Sequence, residues 1–258
     1  AKRKRHLKIR FRFPATAPPW PLIIYSPGLG SGADNGSPWC NHWRDHGMMV
    51  ATITHPETAD DIWDVSNGTL HAQLTRALDG GQLGKRVKDC RFVIDQGLGR
   101  VEFARLIDPA RIAAAGHSYG ALTVQALSGQ YRGSVPQFHE PRIRAAIALS
   151  PGAVSAAAAK SASGITIPFL CMTGDHDGYV DFGDGSNGMR LGVPLDNRIA
   201  VYRSLARGRK HLLLLNNADH MTFAGESLPP GRFRRAIAAT RASETQAWDK
   251  ISRVSQYF

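Results

Sequence analysis

The sequence has 258 residues, of which 43% are hydrophobic and 21% are charged, a balance that excludes global disorder. Because a chain of this length can bury a large core, we predict a single domain spanning residues 1–258. The formal net charge is +11, but no nucleic-acid-binding motif accompanies it, so we predict a basic surface and no nucleic-acid partner.

The cysteines and the hydropathy of the sequence argue against a zinc site and against a membrane-spanning segment. Three cysteines without short spacing give neither a disulfide framework nor a zinc pattern, although one undetermined pair could bridge. Cys171 lies in an apolar run and is predicted as a buried thiol in a strand. We predict no metal, and no integral membrane segment, because no apolar stretch is long enough to cross a bilayer. No signal peptide is visible, but the sequence begins at Ala1, so the compartment stays open, secretion or the bacterial periplasm included.

The predicted elements alternate between short strands and helices along the chain. Apolar and polar residues alternate over 7–13, which predicts a strand with one solvated face near a sheet edge. Further strands are predicted at 22–25, 48–53, 111–115, 143–149, 166–173 and 211–215, and helices at 39–47, 82–96, 119–127, 197–205 and the C-terminus. This order predicts an α/β fold with a mostly parallel central sheet, helices on both faces, and ligands beyond the carboxyl ends of the strands.

The candidate nucleophile is Ser118, in the motif G-x-S-x-G over 116–120, between a predicted strand and a predicted helix. The two glycines let the chain turn sharply without side-chain collisions and lift the serine hydroxyl clear of the sheet. The same turn directs the amide of Tyr119 towards the site, at the start of a helix whose dipole favours negative charge.

A serine hydroxyl needs a base, and the base needs an orienting carboxylate. In folds with this motif the acid and then the histidine follow the serine along the chain. His220 follows the last strand and is the candidate base, whereas His117, inside the motif, is expected to point away from the chemistry. Asp177 follows the strand 166–173 and is the candidate acid, with Asp175 as the alternative and an ordinary acidic loop as the other interpretation.

A second glycine-rich turn, over 26–32, follows the strand 22–25. Acyl transfer passes through an oxyanion that needs preorganised hydrogen-bond donors, and we predict the amides of Leu29 and Tyr119 for that role. Glycine-rich turns also bind phosphates, but neither the P-loop pattern nor G-x-G-x-x-G is present, which argues against a nucleotide site.

Aromatic residues are the candidates for the walls of the predicted pocket. Trp39, Trp63 and Tyr179 lie near predicted loops and are candidates for substrate binding, with ordinary packing as the alternative for each. His55, before Pro56, is a further candidate for lining the pocket. The stretch 150–166 is short and rich in Ala and Ser, so no large lid is predicted.

Four segments together resemble a known group of proteins: 21–30, 86–95, 116–120 and 218–223. They are similar to bacterial α/β hydrolases described as predicted dienelactone hydrolases, and to platelet-activating-factor acetylhydrolases and polyester hydrolases. Two departures are visible. Pro27 stands where that group usually has His, and the motif carries Ser118, whereas true dienelactone hydrolases use a cysteine. The resemblance implies an α/β-hydrolase fold and ester hydrolysis without cofactor or metal.

The sequence therefore predicts a serine hydrolase that cleaves carboxylic esters through an acyl-enzyme intermediate. The expected partner is a small-molecule or polymeric ester, and the expected state is a monomer or weak homo-oligomer. Three alternatives stay open: a polyester hydrolase, an amidase or thioesterase on the same scaffold, and a binding protein derived from an inactive hydrolase.

Overall fold

The computed structural model of the chain describes residues 6–56, 58–63, 70–131, 133, 137–182, 189–225 and 241–258. The strands in this part are β1 (Lys8–Arg12), β2 (Trp20–Ser26), β3 (Met49–Thr54), β4 (Ile107–His117), β5 (Ile143–Leu149), β6 (Phe169–His176), β7 (Tyr179–Phe182), β8 (Met189–Gly192) and β9 (Lys210–Asp219). The helices are α1 (Ser37–Asp45), α2 (Leu70–Ala77), α3 (Gly80–Gly99), α4 (Val101–Ala104), α5 (Tyr119–Leu127), α6 (Ala156–Ala159), α7 (Leu195–Ser204) and α8 (Arg241–Gln256), with short 3₁₀ turns at Asp60–Trp63, Lys160–Gly164 and Met221–Ala224.

Seven strands form one central sheet in the order β1-β3-β2-β4-β5-β6-β9. Every neighbouring pair is parallel except β1 with β3, which confirms both the mostly parallel sheet and the edge position of the first strand. In β2, the run from Leu22 to Tyr25 is buried throughout, because helices cover both faces of the sheet there. Strand β1 instead alternates in exposure, as its residue pattern predicts.

Helices cover the sheet on both faces and enclose two hydrophobic clusters. One cluster joins α3, α5 and α7 to the sheet through residues such as Val87, Val124 and Val201. The other joins α1 and α8 to the opposite face through residues such as Trp43 and Ile251. Helix α3 begins two residues earlier than predicted, because the Asp79 side chain accepts a hydrogen bond from Gly81 N and caps its N-terminus, and it ends three residues later, at Gly99.

The carboxyl ends of β4, β6 and β9 meet at one edge of the sheet. His117 at the end of β4 is in register with Leu149 of β5, and His176 of β6 pairs with Asp219 of β9. Between β5 and β6 the chain forms only α6 and a 3₁₀ turn, which confirms the prediction that no large lid is inserted at 150–166. After β6, the strands β7 and β8 pair as a small antiparallel sheet at the same edge.

Candidate active site

Ser118 occupies a strained turn between β4 and α5. Its backbone φ of 55° lies in the left-handed region that side chains other than glycine rarely adopt. The turn is possible because of its glycines: a Cβ at Gly120 would collide with the carbonyl oxygen of Ser26, and one at Gly116 would lie 2.7 Å from that oxygen. Ser118 N donates to Leu149 O at 3.0 Å, which ties the turn to β5. The predicted strand–turn–helix geometry is present.

Ser118, His220 and Asp177 form a continuous series of hydrogen bonds. His220 Nε2 lies 2.9 Å from Ser118 Oγ, although the two residues are 102 positions apart. His220 Nδ1 lies 2.8 Å from Asp177 Oδ1. Because a carboxylate can only accept, we assign the Nδ1 proton to the bond with Asp177, which leaves Nε2 free to accept from the serine. Asp175 is exposed and its Oδ1 accepts from Ala218 N at 3.3 Å, so it is not the carboxylate that meets the imidazole.

The carboxylate of Asp177 is 0% exposed and bonded on both oxygens. Thr173 Oγ1 donates to Oδ2 at 2.8 Å, and Oδ1 faces both His220 and the guanidinium of Arg198, whose Nε is 3.1 Å away. Burial alone raises the pKa of Asp177, but the hydrogen bond and charge of His220, together with Arg198, outweigh it and bring the pKa down to about 2. The carboxylate is therefore ionised at neutral pH.

Arg198 on α7 is a site residue that the sequence analysis missed. It is 2% exposed, and its Nε donates to the Asp177 carbonyl oxygen at 2.7 Å. Its Nη1 donates to Ser150 O at 3.0 Å and Pro151 O at 3.1 Å. One guanidinium thus joins the loop after β5 to the loop after β6 and holds the acid in place. In the sequence, its burial could have been inferred from its spacing of three from Val201, which places both residues on the buried face of α7.

His117 lies beside the site, so the prediction that it points away from the chemistry is wrong. Its ring centroid is 4.8 Å from that of His220, and its Nε2 donates to the His220 carbonyl oxygen at 3.0 Å. Nδ1 is buried and has no hydrogen-bond partner among the described residues, so protonating it would create an unsatisfied donor. Burial and the neighbouring imidazole of His220 hold the pKa of His117 well below its ordinary value, and the ring is neutral at pH 7.

This neutral ring makes folding stability depend on pH. In the unfolded chain His117 binds a proton below its ordinary pKa of about 6.5, but in the folded protein it does not, so the unfolded state binds more protons there. The free energy of unfolding therefore falls on acidification, and this residue contributes a slope of up to about 1.4 kcal/mol per pH unit. Urea titration at several pH values between 6.5 and 5 measures the free energy of unfolding. We expect this free energy to fall less per pH unit for His117→Gln than for the wild type.

The control for this experiment is His176→Gln, which removes an exposed imidazole close to the same site. It should keep the wild-type slope. Equal slopes for the wild type and His117→Gln would show that His117 takes up a proton in the folded state.

The turn after β2 lies directly against Ser118. A Cβ at Gly28 would lie 3.1 Å from His117 Nδ1 and 3.6 Å from Ser118 Cβ. The amide of Leu29 donates no hydrogen bond to any residue that the structure describes, as a donor reserved for a substrate oxygen requires. Tyr119, the other predicted donor, begins α5 immediately after Ser118. Both residues stay predictions for the oxyanion role.

The three aromatic residues predicted to line the pocket have different environments. Trp39 is 0% exposed and packs in the core between α1 and the sheet, so the prediction that it is a pocket wall is wrong. Trp63 is partly buried against the cluster of Ile62, Leu74 and Ala77, and its Nε1 donates to Gly30 O at 2.7 Å. Tyr179 is 45% exposed at the start of β7, two residues after Asp177. Trp63 and Tyr179 therefore stay candidates for contact with a substrate.

His55 does not line the pocket, because it is 1% exposed and bonded on both ring nitrogens in the interior. The cysteines are also buried and unpaired: burial raises the pKa of Cys40 and of Cys90 to about 12 and raises that of Cys171 further. As buried, neutral thiols they are not candidate nucleophiles. Across the described ranges, no group of three or more His, Cys, Asp or Glu is placed to hold a metal ion, and no helix is long and apolar enough to cross a membrane.

Comparison with solved structures identifies the architecture around this site. A ferulic acid esterase from Streptomyces cinnamoneus superposes with a TM-score of 0.64 at 21% identity, over 93% of this chain and 66% of the esterase. A dienelactone hydrolase from Anabaena variabilis superposes with a TM-score of 0.60 at 12% identity, over 99% of this chain and 91% of that enzyme. The chain has the α/β-hydrolase fold. In an α/β hydrolase the carboxyl edge of the sheet carries the nucleophile turn, which is where Ser118 lies here.

A third structure with the α/β-hydrolase fold is Thermogutta terrifontis esterase 2 phosphorylated by paraoxon, with a TM-score of 0.60 at 15% identity, over 98% of this chain and 89% of that one. At these identities the likeness establishes the fold and leaves the activity to be argued from the site. Neither a protein-family model nor a curated protein matches this chain.

Proposed function

We propose that this protein is a serine hydrolase that cleaves carboxylic esters through an acyl-enzyme intermediate. The observation that carries the proposal is the pair of hydrogen bonds, 2.9 Å and 2.8 Å, that links Ser118 through His220 to an ionised Asp177. A serine on a strained turn, within reach of an oriented imidazole, is the arrangement that nucleophilic catalysis requires. The imidazole reaches solvent, since its side chain is 12% exposed.

Each residue then has a defined task in the proposed reaction. Ser118 Oγ attacks the ester carbonyl carbon while His220 Nε2 takes the hydroxyl proton. The amides of Leu29 and Tyr119 donate to the oxyanion of the tetrahedral intermediate. Nε2 then gives its proton to the departing alkoxide, which leaves as the alcohol. Water, deprotonated by Nε2 in turn, cleaves the acyl-serine ester and releases the carboxylic acid and the free enzyme.

The activities named for two neighbouring structures support ester substrates. One neighbour is a ferulic acid esterase and another is an esterase phosphorylated by paraoxon, a phosphate ester. The polyester alternative assumed an open aromatic cleft, and it is weakened because Trp39 is in the core. Amidase and thioesterase activities use the same residues, so p-nitrophenyl esters, anilides and thioesters with the same acyl group, compared at graded chain lengths, separate them.

A fluorophosphonate probe tests whether Ser118 is activated. We expect one equivalent of probe to bind covalently, and peptide mass spectrometry to place it on Ser118, because an unactivated hydroxyl does not react. Prior incubation with an excess of p-nitrophenyl butyrate should slow the labelling, and heat-denatured protein should stay unlabelled. Absence of labelling on native protein, together with absence of ester turnover, would favour an inactive hydrolase that only binds its ligand.

A further inference from the structure

A second series of Ser, His and Asp side chains lies beneath the turn that carries Leu29. His55 Nε2 lies 3.0 Å from Ser26 Oγ, and His55 Nδ1 lies 3.0 Å from Asp89 Oδ2. These three residues are 1%, 1% and 0% exposed. Because no substrate can reach Ser26, the series is not a second catalytic site, and the reaction proposed for Ser118 does not use it.

The chemistry of the groups gives this series a direction. Asp89 can only accept, so His55 Nδ1 donates to it, and in the neutral imidazole Nε2 then accepts from the Ser26 hydroxyl. Arg86 can only donate, and its Nη2 donates to Ser26 Oγ at 3.2 Å. These bonds join four residues in series, from Arg86 to Ser26, His55 and Asp89.

Arg86 also holds the turn on both sides of Leu29. Its Nη2 donates to the carbonyl oxygen of Pro27, and its Nη1 donates to Thr58 Oγ1 at 2.7 Å. Thr58 in turn accepts from Gly30 N through its backbone oxygen at 2.9 Å. The Arg86 guanidinium thus holds Pro27 directly and Gly30 through Thr58. The amide of Leu29 lies between these two fixed points of the turn.

The same guanidinium contacts the segment that carries the other amide. Its Cζ lies 4.8 Å from the centroid of the Tyr119 ring. Its Nε donates to Thr123 Oγ1 at 3.2 Å, and that hydroxyl donates to Tyr119 O at 3.0 Å. Arg86, which is 1% exposed, therefore touches both segments that carry the predicted oxyanion donors.

We propose that Arg86 is a positioning residue that sets the distance between the amides of Leu29 and Tyr119, and that Ser26, His55 and Asp89 hold its guanidinium in place. The proposal rests on the ester hydrolysis proposed above. Stability alone is a weak reason for such a set, because replacing a buried ion pair with apolar groups is often neutral or stabilising. The need to place the two amide donors accurately is a better reason for this buried set, because an oxyanion hole acts only when its donors are preorganised.

The test compares Arg86→Lys and Arg86→Gln with the wild type and with Arg91→Gln. Lysine keeps the charge but lacks the planar fork that reaches Ser26, Pro27, Thr58 and Thr123 together. Arg91 is a control on the same helix, since its Nη2 also donates to a backbone oxygen, that of His139, at 2.7 Å, and its ion pair is with Glu140 and not with the turn. The active fraction of each variant is first titrated to completion with the fluorophosphonate probe. The kcat and KM for p-nitrophenyl butyrate are then measured per titrated site.

Displaced oxyanion donors lower kcat and leave ground-state binding unchanged. We expect kcat per titrated site to fall by about 10- to 100-fold in both Arg86 variants, with KM within about 3-fold, given that losing one donor outright costs about 10²- to 10³-fold. The inhibition constant of a trifluoromethyl ketone, whose adduct with serine carries an oxyanion, should rise by a similar factor. Arg91→Gln should match the wild type in kcat, in KM and in the inhibition constant.

A merely structural role predicts a different result: a lower Tm and fewer titratable sites, with wild-type kcat and inhibition constant at each remaining site. That result would overturn the proposal. If neither Arg86 variant folds, Ser26→Ala decides, with an expected loss of about 3- to 10-fold in kcat and a matching rise in the inhibition constant, and no change in either would overturn it. If the wild type is neither labelled nor active on esters, the proposed function fails, and this proposal fails with it.

Discussion

Ser118→Ala is expected to lower kcat/KM for p-nitrophenyl butyrate by at least about 10⁴-fold, and towards 10⁶-fold if this site behaves as other serine hydrolases do. Without Oγ, no acyl-enzyme forms, and only binding and the oxyanion donors remain to assist attack by water. Steady-state kinetics with the purified variant measure the loss. Its circular dichroism spectrum and Tm should stay close to those of the wild type, because the substitution keeps the Cβ at a φ of 55°.

Ser128→Ala is the control for this substitution. Ser128 directly follows α5 as its C-cap residue, is buried, and its hydroxyl has no hydrogen-bond partner in the described part of the chain. Its removal should leave kcat/KM within about 2-fold, since nothing at the site depends on it. Residual turnover by Ser118→Ala above about 1% of wild type, with no wild-type contamination, would assign the chemistry to another group.

Asp177→Asn is expected to lower kcat by about 10⁴-fold with little change in KM. An amide in that position can donate to His220 Nδ1, which favours the tautomer with its proton on Nε2, and that tautomer cannot accept the proton of Ser118. The substitution also leaves Arg198 beside a neutral group in a buried site. Kinetics between pH 6 and 9 measure the loss, which should persist across this range, because the carboxylate it replaces has a pKa of about 2.

Asp175→Asn is the matched control, since it makes the same chemical change two residues away on an exposed side chain. We expect kcat within about 3-fold of wild type. A loss of 10³-fold or more for Asp175→Asn, with Asp177→Asn near wild-type activity, would reverse the assignment of the acid.

The fold and the main site could be predicted because their signals are local in sequence. Alternating apolar strands and helices predict a parallel sheet, and the glycines around Ser118 predict a sharp turn between a strand and a helix. Asp177 and His220 each follow a strand of that sheet, so knowledge of the strand ends was enough to place them at the same edge. The structure brings these three side chains into hydrogen-bond contact.

The residues that were missed or misplaced depend on contacts between distant segments. Arg86 is 60 positions from Ser26, and although the resemblance includes the segment 86–95, the residue pattern there does not show which distant groups Arg86 contacts. Arg198 differs from a surface residue only by its spacing from Val201. Trp39 was misplaced because an aromatic residue after a loop can face either the core or the solvent, and α1 presents this one to the sheet. Such pairings are decided by tertiary packing, which residue patterns along the chain do not contain.

The three reduced cysteines provide built-in reporters of local opening. Cys40 is on α1, Cys171 is in β6, and Cys90 is on α3, so one thiol marks the sheet and one marks a helix layer on each side of it. A disulfide reagent added to the native protein can modify each thiol only after the segment around it has opened. The order in which the three sites react would therefore show whether the two helix layers detach separately or together with the sheet, without any introduced label.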